Sequence, residues 1–533
     1  MTTSGAAPPQ PIDVVVTALP IKRIRVTWTA SPGAAGYEIE RAVDGGGGTP
    51  TWIVVDDAVP QPPDMQAEYV VEGAFLPAWA DSAVRIRACN FDGCSPWSTP
   101  VAAQTVDPGI ALVKDQEPQI EARFGTSVAT SADGRVVAIG APQYDDGTQL
   151  DRGRVLTASF DGVSEAWQAM EVPIPTDVGA GGAFGGNVAL DAAGLRLAVS
   201  AKGLDGGLGG VVVYDWDDRQ SGWGAGEILR PSMGAAGDLT AERSIALSAD
   251  GQWLAAGSTI ANRVVVWRRN MDLWEESDVL DGTDYDPMTA RFGYGLAFSA
   301  DGTVLAVGAA GSPALSGKVH VFERSGGAFS HVASLEPDVS ETATMVLADG
   351  FGASLALSAD GTRLAVGVPF DDGSQGGIGA DSSSKSTATA ASGAVYLFDA
   401  PTPGSWSKTE YFKAEMPREN DWYGFAVAMS ADGLQIAVAA RLEDGGGVGL
   451  HAGPDTAQPD AGAVYVYREV GGTWTLLRYV KAFPVADSGD RFGRGLALSS
   501  DGRTLAVGAN EEDGPDADPF SNGVSNAGAV YVY

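Results

Sequence analysis

Carboxylates followed by glycine recur along this chain at Asp145-Asp146-Gly147, Asp371-Asp372-Gly373, Glu443-Asp444-Gly445 and Glu511-Glu512-Asp513-Gly514, with a single Asp205-Gly206 between them. Side chains of this type and density can supply the oxygen ligands that Ca²⁺ takes. They also make ordinary solvated turns, in which an Asp side chain bonds its own backbone. Arginines stand directly before Phe-Gly dipeptides at Arg123, Arg291 and Arg491. Two readings are open for these residues together. Either the acidic turns are solvated and the arginines pair with them, or they form a rim of Ca²⁺ sites or a charged ligand surface. Signs of catalysis are scarce. Of the three histidines, His320 and His331 fall on expected strands and His451 in an insertion, and none shares a local motif with a nucleophile or carboxylate. No phosphate loop, zinc-ligand spacing, nucleophile elbow or dinucleotide fingerprint is present. A carboxylate pair assembled from distant segments is the route to catalysis that stays open. The expectation is a protein that is not an enzyme.

The surroundings of these residues are strongly acidic. Of 533 residues, 34 are Lys or Arg and 68 are Asp or Glu, a formal charge of −34. Such a polyanion is repelled by nucleic acid and by anionic lipid surfaces. No apolar run is long enough for a membrane helix, so membrane insertion is not expected. Cys89 and Cys94 flank an expected hairpin turn with Asp92-Gly93 at its tip, where two strands would face each other. A disulfide is the expectation, and with it export to a secreted or cell-surface location. The first residues, MTTSGAAPPQ, lack a charged-then-apolar signal, so export would use a trimmed signal or another route.

The 71 glycines scattered among short Val/Ala/Leu runs indicate many strands and turns, hence an all-β chain. From residue 107 the sequence repeats itself. RFGTSVATSADGRVVAIGAP (123–142), RFGYGLAFSADGTVLAVGAA (291–310), GFGASLALSADGTRLAVGVP (350–369), WYGFAVAMSADGLQIAVAAR (422–441) and RFGRGLALSSDGRTLAVGAN (491–510) are plain copies. AFGGNVALDAAGLRLAVSAK (183–202) and ERSIALSADGQWLAAGST (242–259) are weaker ones. Seven copies spaced by about 49 to 72 residues suit four-stranded blades with loop insertions. In each copy an apolar run after Phe-Gly, a Ser-Ala-Asp-Gly turn and an LAVGA-like run give the two inner strands. An AVYVY-like run is the third strand, and an aromatic residue introduces the outer one. The copy at 491–533 ends on its third strand, and IALVKDQEPQIEARFG (110–125) resembles LLRYVKAFPVADSGDRFG (476–493). A strand near Ile110–Lys114 is therefore expected to complete the last blade, closing the ring without an unpaired edge.

Residues 1–10 read as a flexible N-terminus, and 11–106 differ in kind from the rest. IRVTWTA (24–30), YEIERA (37–42) and AVRIRACNFDGCSPWSTPV (83–101) alternate between Pro/Gly turns, a sandwich pattern. This segment resembles a fibronectin type III domain of immunoglobulin-like fold. Trp28 falls at the buried second-strand position and Tyr37 on the third strand, whereas Val84 departs from the tyrosine usual there.

The repeats resemble the FG-GAP repeat of integrin α-chain propellers, and more closely that of bacterial tandem-repeat proteins. The residues that carry the likeness are Phe124-Gly125, Phe292-Gly293, Phe351-Gly352 and Phe492-Gly493, with Gly140-Ala141-Pro142 and near matches at 367–369 and 508–510. The resemblance implies a seven-bladed β-propeller over 107–533 behind the sandwich. It also implies that ligand would meet the face carrying the Asp/Glu-Gly loops and the Phe-Gly connectors. The inner turns keep one Asp each, too few for the calcium loops of the integrin pattern, so calcium is expected, if anywhere, at the Asp/Glu-Gly loops. The leading functional expectation is an extracellular or cell-surface adhesion or recognition module for a protein or glycan. A surface-layer or fibre subunit bridged by calcium, and a polysaccharide hydrolase or lyase, are the alternatives.

Overall fold

The computed structural model describes the chain apart from residues 1–5, 20–22, 44–50, 61–65, 72–82, 103–109, 162–165, 205–206, 208, 233–244, 286–290, 312–315, 339–348, 451–454 and 514–523. It is all-β, with no α-helix among the described residues. The chain divides into two compact units, 1–111 with 533, and 112–532.

The first unit holds two antiparallel sheets. One orders Ile12–Leu19, Arg23–Thr29 and Gln66–Val71; the other orders Thr51–Pro60, Gly36–Val43, Ala83–Asn90 and Gly93–Cys94, with Val101–Ala102 beside Ala83–Asn90. Alternation in sequence puts Val26 and Trp28 of the first sheet and Tyr37, Ile39, Val84 and Ile86 of the second into one buried core. The Trp28 and Tyr37 rings meet edge to face with centroids 5.0 Å apart, and Tyr37 Oη accepts the Ser31 N–H at 2.7 Å. Cys89 and Cys94 face each other across the hairpin and are joined by a disulfide.

In the second unit seven antiparallel sheets follow one another along the described chain. Their innermost strands are Ser127–Thr130, Val188–Leu190, Ile245–Leu247, Phe292–Phe298, Ser354–Leu357, Tyr423–Met429 and Phe492–Leu498. The fourth sheet is typical, running outward through Val304–Ala309 and Lys318–Ser325 to Ala328–Leu335. The last runs through Leu505–Ala509 and Ala529–Val532 and is completed by Ala111–Val113.

Each innermost strand neighbours the next, and the seventh neighbours the first. Second strands such as Val304–Ala309 are buried on both faces, which is why they read as near-continuous apolar runs. The turns between first and second strands close a circle. Backbone N–H groups of Ala132, Ala192, Asp250, Ala300, Ala359, Ala431 and Ser500 donate to the carbonyls of Ala192, Ala249, Ala300, Ala359, Ala431, Ser500 and Ala132, at 2.8–3.1 Å. Within a turn the single Asp caps its own backbone. Asp301 Oδ1 accepts the Ser299 hydroxyl at 2.9 Å and the Thr303 N–H at 3.0 Å.

Crowding between neighbouring sheets explains the Phe-Gly glycine and the second-strand glycine where the repeats carry them. A Cβ on Gly308 would lie 2.1 Å from the Gly352 carbonyl oxygen, and one on Gly508 2.0 Å from that of Gly125. The aromatic beside each Phe-Gly glycine (Phe124, Phe184, Phe292, Phe351, Tyr423, Phe492) is fully buried. Gly308→Ala is therefore expected to destabilise the second unit by about 3 kcal/mol through overpacking against backbone. Gly179→Ala, whose Cβ would meet nothing closer than 3.8 Å, should stay within about 0.5 kcal/mol in the same urea titration.

Candidate functional site

The loops that follow the second strands, and the connectors that lead into each Phe-Gly, lie together at one end of the sheets. In the fifth, sixth and seventh sheets the first buried acid of the loop meets a lysine from the end of an outer strand. Asp371 Oδ1 is 3.0 Å from Lys413 Nζ and accepts the Tyr411 hydroxyl at 2.8 Å and the Gly373 N–H at 2.7 Å; Lys385 Nζ reaches Oδ2 at 2.5 Å. Glu443 Oε2 accepts from Lys481 Nζ at 2.9 Å and from the Gly445 N–H at 2.8 Å. Glu512 accepts from Lys114 at 3.4 Å and from the Tyr531 hydroxyl at 3.0 Å. Lys114 belongs to the segment that completes the last sheet, so the N-terminal strand brings its own counter-ion to the seam.

The other acidic residues marked in the sequence cap loops. Asp145 accepts the Asp151 N–H at 2.7 Å, Asp146 pairs with Arg152, Asp372 accepts the Ala391 N–H at 2.7 Å, Asp444 the Asp460 N–H at 3.1 Å, and Asp513 the Asn526 N–H at 2.7 Å. Asp205-Gly206 lies outside the described residues. Among the described residues the one trio of acidic, His or Cys donors within mutual reach is Glu38, Cys89 and Cys94, whose cysteines are tied in the disulfide. The Asp/Glu-Gly loops thus spend their carboxylates on lysines and backbone N–H groups. Among the described residues none of these loops brings three carboxylates within reach of one another, short of the six to eight oxygens that Ca²⁺ takes.

Three further acids, Asp349, Asp421 and Asp490, stand two residues before Phe351, Tyr423 and Phe492 and are buried beside the paired ones. Burial, with the charge of Glu443 added, pushes Asp421 up to about 8. Burial and the charge of Glu512 push Asp490 up as well. Burial would raise Asp371 too, but Lys413 and Lys385 outweigh it and hold it below the usual carboxylate range.

The arginines behave differently. Arg123, Arg291 and Arg491 all have φ near +56°, as does Trp422 at +54°, in a left-handed bend that turns the next aromatic into the core. Arg123 and Arg491 converge on Glu511, at 3.8 and 2.7 Å, and Arg441 joins them at 3.6 Å. Arg291 holds the same backbone position in the fourth sheet and is exposed. Arg441 also lies 5.0 Å from the Phe425 ring centre, with Arg494 at 5.4 Å; Trp422 stacks on Phe425 and meets the edge of Phe370. Arg494 lines the mouth of an axial cavity of about 180 Å³ to which all seven innermost strands contribute. Among the described residues, that lining holds no carboxylate, histidine or cysteine. Four guanidiniums and three aromatic rings therefore meet at one end of the axis, where Arg123, Arg441 and Arg491 share the largely buried Glu511 and Arg123 also pairs with Glu121 at 3.4 Å, in a chain of net charge −34.

Arg441, Arg494, Trp422, Phe425 and Phe370 were not marked by sequence. The signal available was positional: Trp422 occupies the place of Arg123 and Arg491, and Phe425 that of Arg494, relative to the Phe-Gly or Tyr-Gly pair. The two described histidines, far from any motif, lie side by side on the outer half of the fourth sheet.

Residues 484–533 match the FG-GAP repeat family. With the closed circle of sheets already described, this decides the architecture. The second unit is a β-propeller. No curated protein matches the chain. Solved structures similar to it include the periplasmic gluconolactonase of Pseudomonas aeruginosa, 17% identical over 85% of this chain and 98% of that one, with a TM-score of 0.42. The WD40 domain of Toxoplasma gondii coronin is 10% identical over 79% of this chain and 85% of that one, with a TM-score of 0.41.

The buried acids of the propeller predict its pH response. A carboxyl that ionises near 3.8 when unfolded but near 8 when folded releases a proton on unfolding between those values. Its contribution to stability therefore falls as pH rises from about 4 to about 8. Asp490, Asp115, Asp372 and Glu512, all raised, act in the same sense. Asp371, held low, acts below that window. Melting temperature is expected to drop by several degrees between pH 5 and pH 8, and Asp421→Asn to flatten the slope in a calorimetric pH series.

Proposed function

We propose that the chain is a non-enzymatic recognition module: a fibronectin type III sandwich, then a seven-bladed propeller closed by Ala111–Val113, exported to a cell surface or its surroundings. It binds a protein or glycan with the loop face around the axial mouth. The observation that carries this reading is the convergence of Arg123, Arg441, Arg491 and Arg494 with Trp422 and Phe425 at that mouth. Arginine and tryptophan dominate binding energy at interfaces, because they combine a large apolar face with directed donors. A guanidinium can stack on an aromatic ring and hold a carboxylate or other oxygen acceptor with its in-plane N–H groups at the same time. Loops of 20 or so residues on a rigid circle of sheets are the usual seat of recognition. The seven sheets, the turn circle and the paired sheets around Trp28 support the architectural half. The disulfide supports export.

Screening the full chain against immobilised glycans and surface proteins, then repeating it with Arg491→Ala and Trp422→Ala, tests the proposal. Each substitution is expected to weaken the captured ligand at least about tenfold, as for hot-spot residues, with little change in melting. A ligand held equally well by both variants would place recognition elsewhere.

A further inference from the structure

Two of the three histidines meet in the fourth sheet of the propeller, on its outer half. His320 lies on Lys318–Ser325 and His331 on Ala328–Leu335. An irregularity in the pairing brings them together. His320 is opposite Ser334 and Phe322 is opposite His331, with the register shifting between Val321 and Phe322 so that Val332 is the extra residue. Without that bulge His331 and Ser334, three apart, would point to opposite faces. With it they share the face of His320. His320 Nδ1 and His331 Nε2 are 3.3 Å apart, and Ser334 Oγ is 3.1 Å from each. Tyr285 stacks on His331 at 4.7 Å, lies 5.5 Å from His320 and fixes both ring planes. His320 is buried, His331 half-buried and Ser334 exposed, so the three atoms form a small triangle with one side open to water.

We propose that His320, His331 and Ser334 form a binding site for a divalent transition-metal ion of the Zn²⁺ class. Two imidazole nitrogens bound at about 2.05 Å and tetrahedral angles stand about 3.3 Å apart, the separation found here. An ion about 1 Å outside the triangle lies at bonding distance from both imidazole nitrogens, with the neutral Ser334 hydroxyl as a weaker oxygen donor and water in the remaining position. Neutral imidazole is the preferred ligand of Zn²⁺, Cu²⁺ and Ni²⁺, whereas Ca²⁺ takes oxygen donors. Tyr285 supplies the rigid support that a metal site needs. The chain's charge of −34 raises the local concentration of any cation. This site is separate from the loop face and does not depend on the recognition proposal.

Zinc titration of the full chain by calorimetry in a non-coordinating buffer, followed in parallel by ring-nitrogen NMR, tests it. One equivalent of Zn²⁺ is expected to shift the ring signals of His320 and His331 together and leave the third histidine, His451, unmoved. His331→Gln is expected to weaken binding at least tenfold. Ser334→His, at an exposed position that adds a third imidazole, is expected to tighten it at least tenfold. Failure to bind below millimolar zinc, equal affinity in His331→Gln, or no gain in Ser334→His would each overturn the site and leave a hydrogen-bonded cluster.

Discussion

Neighbouring sheets of the propeller approach so closely that backbone meets backbone, and most of what the chain does follows from that contact. The glycine of the second strand in one sheet touches the Phe-Gly glycine of the next, with no room for a Cβ at pairs such as Gly308 and Gly352 or Gly508 and Gly125. Small residues must line the axis, and aromatic rings must fill the wider space behind it. The turn amides can then bond around a circle because the sheets are held at one spacing. A circle of this kind tolerates no gap, so the last sheet takes its outer strand from Ala111–Val113.

The same contact places the candidate ligand face. Residues just before and just after each Phe-Gly pair emerge where the sheets converge, so side chains from repeats far apart in sequence become neighbours. Arg123 and Arg491 are 368 positions apart and share Glu511 only because the circle closes between the seventh and first sheets. Behind them the buried pairs Asp371–Lys413, Glu443–Lys481 and Glu512–Lys114 anchor the loop bases. Ion pairs so buried gain little net stability over apolar packing, but breaking one partner is costly. Their effect is to fix where each loop begins. The propeller therefore separates a rigid, repeated interior from a face whose chemistry can vary.

Much of the fold was legible in the sequence because a repeat prints its packing as a pattern. The Phe-Gly and LAVGA-like runs mark the strands that touch, and the likeness of 110–125 to 476–493 marks the closing strand. The charges were less legible. Asp371, Glu443 and Glu512 look like surface turn residues, since the outer-strand lysines they meet, Lys413, Lys481 and Lys114, lie 38 to 398 positions away. Arg123 and Arg491 were visible, but Arg441 and Arg494 were not, because nothing local says that an arginine will stack on Phe425. The histidine pair was hidden by a bulge: strand alternation alone sets His331 and Ser334 on opposite faces.

Closure of the circle is the claim on which both the fold and the ligand face rest. Native-state hydrogen exchange at the turn amides addresses it directly, since exchange reports the opening of individual backbone hydrogen bonds. If the seam is closed, the Ser500 amide, which bonds Ala132 across it, is protected as strongly as those of Ala300 and Ala359 within the circle. A Ser500 amide exchanging about a hundredfold faster than those two would show an open seam and contradict the account.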